Sequence, residues 1–370
     1  MFTGARAEVV ERLGDPALPE GRGAPGVPLD PARLRRAKRA YVTRHVELTQ
    51  AVRLLPAPDP RPRAGDLLLA RLLELGHHRR LELPCGRKAR LFAGDELVLA
   101  FGARYASDQF EAAVPEDLAP CELIAAGGLA GRCLRRHDRT RRPTRIAPIG
   151  LLADAEGRPL SLRRFAPLGE TGAGKPAAVP FTVAVVGTGM NAGKTTTAAA
   201  LVRGYRRLGR RVAAVKATGT GSGGDRFALL DAGAQPVYDF TDLGLPSTCG
   251  LGGDELEEVF LRLWHAAAAA GAERLVVEVA DGLLFKDTAA LLQGEPFRRR
   301  VDAVVLAAGD SMGAVGAVRW LEAAGLGPVL VSGRIACSPL AMEEAVRALG
   351  RPVETPETLA SGLKLPQPVS

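Results

Sequence analysis

Gly187-Thr188-Gly189-Met190-Asn191-Ala192-Gly193-Lys194-Thr195-Thr196-Thr197 follows the apolar run 182–186 and enters an alanine-rich stretch, 198–200, of helical character. Strand, glycine-rich turn, Gly-Lys-Thr-Thr and helix are the context of a phosphate-binding loop. Glycines let backbone N–H groups turn toward phosphate oxygens, and the helix N-terminus adds its partial positive charge. Residues 187–196 are therefore the expected nucleotide-binding set: Lys194 for the β- and γ-phosphates, the Thr195 hydroxyl for Mg²⁺. The spacing is looser than GxxxxGK, because Gly187 lies six residues before Gly193. The strict pattern occurs at Gly169 to Lys175 (GETGAGK), but Pro176 stands where the magnesium-binding hydroxyl belongs and no apolar strand precedes it. That copy reads as linker.

Outward from the loop, short apolar runs at 182–186, 212–216, 236–240, 275–279, 303–307 and 329–331 alternate with helical stretches near 194–207, 224–233, 254–271, 311–324 and 338–349. Near-continuous apolar strands separated by helices predict a parallel sheet covered on both faces. Upstream the character changes. Short runs punctuated by Gly65-Asp66, Gly76, Cys85-Gly86, Gly94-Asp95, Gly102 and Gly127-Gly128 predict a small mostly-β unit, barrel or sandwich. The expected organisation is a basic helical lead-in and linker over 1–60, a β-rich domain over 61–166, a Gly/Pro linker over 167–180 and an α/β P-loop NTPase domain over 181–370. In the lead-in, Asp30 is the expected N-cap and Pro31 the first residue of a helix rich in Arg33, Arg35, Arg36, Lys38 and Arg39. The basic run Arg135 to Arg142 reads as a loop, and His77-His78, adjacent on an expected strand, point to opposite faces rather than to one metal.

The strings GTGMNAGKTTTAAAL (187–201) and GRRVAAVKATGTG (209–221) resemble the SIMIBI-class P-loop proteins, dethiobiotin synthetase and the molybdopterin-guanine dinucleotide biosynthesis B proteins in particular. The likeness covers about 181–335 and nothing upstream. It implies that Lys216, at the end of the second strand, contacts substrate and γ-phosphate, that Asp225 helps hold Mg²⁺, and that Glu278 matches the family's glutamate near the metal. From position alone, Lys216 faces the crevice at the carboxyl ends of the strands; the alternatives are a surface lysine and, for Asp225, a helix cap. Glu278 and Asp281 sit at and just past an apolar strand, where a carboxylate reaches magnesium or its water shell. Ala280-Asp281-Gly282 departs from the family's glycines and leaves the role of Asp281 open. Asp310 to Gly313 is a further candidate edge of the site, while the polar groups of Asp239 to Asp242 and Pro246 to Thr248, after the third strand, either bind a polar substrate or only cap and turn the chain. Guanine-reading Asn-Lys-x-Asp is absent, since Asn191 is the only asparagine, and ATP with Mg²⁺ is the expected cofactor pair.

The net charge of +8 is concentrated upstream: residues 1–165 carry 29 Lys and Arg against 20 Asp and Glu. This excess keeps nucleic acid open as a partner. Only seven of the 49 basic residues are Lys, the mark of a GC-rich coding sequence, and aromatics for base stacking are sparse at 5%. Five scattered cysteines make neither a disulfide frame nor a zinc site. With no apolar run long enough for a membrane helix and no signal peptide, a cytoplasmic protein is expected. Three functions follow: a Mg-ATP-dependent kinase or ligase with catalytic Lys194, Lys216 and Glu278 acting on a small polar or anionic substrate; a nucleotide-binding accessory protein of the cofactor-biosynthesis type; or a polynucleotide 5′-hydroxyl kinase. ATPases related to this class often pair two subunits across the nucleotide, so a homodimer is the expected assembly if one forms.

Overall fold

A computed structural model describes residues 26–58, 60–169 and 178–362. The first 25 residues of the expected lead-in, most of the rejected GETGAGK copy and the centre of the second linker lie outside the described residues.

Six parallel strands form the sheet of the C-terminal half, in the spatial order Val237–Asp239, Val212–Lys216, Arg274–Glu278, Phe181–Gly187, Ala303–Ala307, Val329–Ser332. The central strands are buried on both faces, which is why their sequences are continuous apolar runs rather than alternating ones. Helices Lys194–Arg207 and Gly223–Asp231 pack with Tyr205, Leu201 and Leu229 on one face. Helices Gly253–Ala269, Lys286–Gln293 and Ser311–Ala323 cover the other with Phe260, Leu263, Leu291 and Leu321. All six strands expected from the sequence are present within two residues at either end, and the reason is length and period: each run is short, apolar and bounded by turn residues. The strand bearing Glu278 lies directly beside the strand that feeds the phosphate loop, in register from Phe181 opposite Arg274 to Val185 opposite Glu278.

Upstream, backbone pairing closes a ring of five strands: Thr144–Ala153 with Leu67–Glu74, that with Glu96–Phe101, then Leu129–Arg136, then Cys121–Ala125, and back to Thr144–Ala153. Residues 26–55, expected as a lead-in, belong to this unit instead. Arg53–Leu55 extends the sheet beyond Thr144–Ala153, Val27–Pro28 pairs with it, and Lys38–Arg39 adds to Glu96–Phe101. Leu29, Leu34, Tyr41, Val42 and Leu54 share one core with Leu68, Leu99 and Ile124. The helix is Pro31–Arg36, capped by Asp30 as its sequence predicts, and stops before Lys38 because that segment is recruited as a strand. The basic run differs too: Arg135 and Arg136 end the strand Leu129–Arg136, which pairs with Phe110–Ala113. Among the described residues no helix is long and apolar enough to cross a membrane. All five cysteines are free.

The two halves share a buried polar joint. Tyr41 Oη donates to Asp239 Oδ2 at 2.7 Å, and Arg44 and His45 both reach Asp242. Glu82 Oε2 accepts from Gly223 N at 2.8 Å and from Ser222 Oγ at 3.0 Å. The acidic segment Asp239 to Asp242 is thus part of this joint, and of its two readings the capping one holds: Asp239 caps the turn Phe240–Leu243.

Candidate functional site

The phosphate loop is built as its glycines require. Gly193 adopts φ +98°, a left-handed conformation open to glycine, immediately before helix Lys194–Arg207. A Cβ at Gly187 would lie 2.9 Å from the Lys194 side chain, so the lysine lies back over the loop only because that position has none. Lys194 Nζ donates to Gly189 O at 2.7 Å. Neighbouring segments brace the turn: Thr188 N donates to Ala307 O at 3.0 Å and Arg334 N to Ala192 O at 2.8 Å. The free N–H groups of the first helical turn then face the cleft without intrahelical acceptors.

Four side chains from four elements meet at the mouth of this loop. The Thr195 hydroxyl lies 3.1 Å from Asp225 Oδ1 and 3.0 Å from Glu278 Oε1. Lys216 forms an ion pair with Asp225 and is almost fully buried. Asp225 is not the helix cap: Ser222 holds that position, and Asp225 in the first turn of Gly223–Asp231 turns toward the loop. Lys194, Thr195, Lys216, Asp225, Glu278 and Asp281 all line one cleft of about 470 Å³, together with Met190, Asn191, Gly193 and Thr196. Gly187, Thr188, Gly189 and Ala192 shape the loop behind it. Asp310 is elsewhere, capping helix Ser311–Ala323 through Gly313 N at 2.8 Å. Ser247 and Thr248 brace the Lys216 loop from outside, with Gly219 N donating to Thr248 Oγ1 at 2.8 Å.

Electrostatics sort these groups. Burial pushes Glu278 up to about 7, and the Asp225 charge adds to the shift. Burial also lowers Lys194 below its ordinary value despite Glu278 and Asp281. Lys216 and Asp225 behave as a pair: burial opposes both charges, but each partner more than reverses it, holding the lysine high and the carboxylate low.

The oxygen set fits Mg²⁺. Thr195 has one proton for two carboxylate oxygens, and Glu278 Oε2 is buried with no hydrogen-bond partner. A hard cation sharing the Thr195 oxygen and the carboxylates would relieve both. No group of three or more His, Cys, Asp or Glu side chains forms a self-sufficient metal cage among the described residues. Magnesium of the nucleotide-bound kind needs only one or two carboxylates, because phosphates and water supply the rest.

The sequence did not reveal the opposite wall. His78, Arg104, Tyr105, Ala106, Gln109 and Gly127, all from the N-terminal strands and their loops, complete the cleft. His77 and His78 fall in the turn after Leu67–Glu74, not on a strand, and their rings meet edge to face at 4.9 Å against Phe110. Tyr105 stacks on Phe285 with centroids 4.0 Å apart, fastening the wall beside Asp281. No local spacing or period marks these residues; the glycines are the legible trace, since a Cβ on Gly127 would sit 2.0 Å from Gly221 O.

A glycine-cradled loop between a central strand and its helix, with a carboxylate on the adjacent strand, decides the fold. The C-terminal half is an α/β domain with a parallel sheet and a glycine-rich strand-to-helix loop of the phosphate-binding kind. No family model and no curated protein matches the chain. Among solved structures it is similar to the signal recognition particle 54 kDa protein of Aeropyrum pernix K1 in complex with GDP, at 25% identity over 54% of this chain and 47% of that one, with a TM-score of 0.35. The signal recognition particle receptor FtsY of Elizabethkingia anophelis in complex with GDP follows at 18% identity, covering 51% and 58%, TM-score 0.34. The cell division protein FtsY of Thermotoga maritima is 18% identical, covering 50% and 68%, TM-score 0.32. The chain spans about half the length of the first two. The P-loop assignment rests on strand order and loop geometry, not on these likenesses.

Proposed function

We propose that the protein is a Mg-ATP-dependent phosphoryl-transferring enzyme, a kinase or ligase, acting on a small polar or anionic substrate. The observation that carries this reading is the second lysine. Lys216 lines the same cleft as Lys194, and residues of the N-terminal strands and their loops supply another wall of it. A plain nucleotide switch needs no second buried cation lining a cleft walled by another unit. In the proposal Lys194 and the N–H groups of the loop hold the β- and γ-phosphates, and Lys216 neutralises charge on the transferred group. Thr195, Asp225 and Glu278 would hold Mg²⁺, which would supply positive charge against the phosphates. Asp225 keeps Lys216 charged and aimed, and the wall excludes water. The resemblance of 187–201 and 209–221 to dethiobiotin synthetase supports the same reading, and the missing guanine motif favours ATP.

ADP and GDP release by the full chain tests it, with Lys194→Ala as control and with a small-molecule extract or short RNA added. ATP turnover that rises with the small-molecule fraction and vanishes in Lys194→Ala is expected. Slow turnover indifferent to every addition, or a preference for GTP, would replace this reading with the accessory protein. Stimulation by RNA alone would replace it with the polynucleotide kinase.

A further inference from the structure

On the walls of the cleft beside the phosphate loop, a buried cation and a half-buried acid line the same space without pairing. Arg104, 6% exposed, makes no ion pair among the described residues. Its guanidinium is fixed by protein groups that carry no charge: Ile124 O accepts from Nη1, and Gln109 Oε1 accepts from Nη2 at 2.9 Å. Nε is sealed from solvent with no partner. His78 beside it, pushed down to about 3 by burial and by Arg104, stays neutral, and Nε2 donates to Ile124 O at 3.1 Å. The Asp281 carboxylate, on the facing wall, makes no hydrogen bond or ion pair among the described residues; only its backbone N–H is engaged, by Thr288. Leaving a buried guanidinium and a half-buried carboxylate unpaired in a shared cleft is costly unless a ligand completes both.

We propose that this part of the cleft is the acceptor subsite, and that it takes a small carboxylic acid that also carries a hydroxyl or amine. The ligand carboxylate meets Arg104, whose planar fork suits it, and the hydroxyl or amine donates toward Asp281. The single guanidinium here favours a carboxylate over a phosphate dianion, because Lys194 and Lys216 serve the nucleotide phosphates in the proposed function. This assignment rests on the phosphoryl-transfer reading for the word acceptor, but the binding site itself does not.

The test is calorimetric binding to the full chain in saturating Mg-ADP, using serine, lactate, propionate and inorganic phosphate as probes. Serine or lactate should bind, and propionate more weakly. Arg104→Met should weaken binding roughly ten- to hundredfold, the scale of hydrogen bonds to a charged group, while Mg-ADP affinity is retained. Arg104→Lys should fall between, and Asp281→Asn should erase the advantage of serine over propionate. If Arg104→Met does not fold, Gln109→Leu, which frees the guanidinium from its fixed pose, supplies the same comparison. Inorganic phosphate as the only ligand, lost in Lys194→Ala and kept in Arg104→Met, would overturn the proposal. Carboxylate binding that persists in Lys194→Ala separates the two ideas, since the subsite then stands whether or not nucleotide turnover does.

Discussion

Tyr41 and Asp239 lie 198 residues apart in the chain and share a buried 2.7 Å hydrogen bond. Burial and the Asp239 charge both drive the phenol pKa upward, so the proton stays on the tyrosine and the tyrosine remains the donor. The contact matters because Asp239 ends a strand of the C-terminal sheet, while Tyr41 belongs to the core of the β unit. The cleft exists only while the two halves hold this joint.

Tyr41→Phe should therefore destabilise the protein by about 1–3 kcal/mol, the cost of leaving one buried acceptor short of a donor. Asp239 keeps its bond from Thr241 N at 2.7 Å, which limits the loss. A urea titration should show a lower midpoint with an unchanged slope. An unchanged midpoint would mean the joint is not under strain of this kind.

Asp225→Asn should cost more, about 3–5 kcal/mol, because it strands Lys216 as an unpaired buried charge. The double variant Lys216→Met with Asp225→Leu should recover most of that loss in the absence of nucleotide. Failure of the double variant to recover would show that the pair contributes through packing rather than charge.

Glu278 predicts a pH dependence of stability. Its folded value, up to about 7, exceeds the unfolded value of 4.5, so the native state holds a proton that the unfolded state releases in between. Stability from this group is complete below 4.5 and declines as pH rises through the window to 7. The decline is about 3 kcal/mol for a shift of this size. Without magnesium or nucleotide, the stability difference between wild type and Glu278→Gln should change across that window and be flat above it. A constant difference would place the titration elsewhere.

Two glycines should respond in opposite directions. Gly127→Ala drives a Cβ onto Gly221 O, 2.0 Å away, and should cost about 1–3 kcal/mol through displacement of the Lys216 loop. Gly316, in the exposed middle of helix Ser311–Ala323, has nothing within 4 Å of an added Cβ. Gly316→Ala should stabilise by about 0.5–1 kcal/mol through helix propensity and unfolded-state entropy. Thermal melts of both variants beside wild type check the pair.

Residues whose role follows from local chain geometry were readable in advance. The phosphate loop, Asp30 as cap, the helix Lys194–Arg207 and the strands that flank it depend on neighbours within a few positions, and periodicity and turn chemistry encode those neighbours. Lys216 and Glu278 were placed correctly at strand ends because a parallel sheet brings all such ends to one edge. Arg104, Gln109 and His78 had no such signal. Their position depends on how a five-strand ring closes and on which side of it meets the C-terminal sheet, and pairing across tens of residues leaves no local period. The segment 26–55 was misread for the same reason: its two- and three-residue strands are too short to show alternation and form only because the ring offers them an edge. Sequence alone determined that this protein has a loop built for phosphates. Tertiary structure decided what faces that loop, because only the packing of two distant halves puts an unpaired arginine and an unpaired aspartate into one chamber.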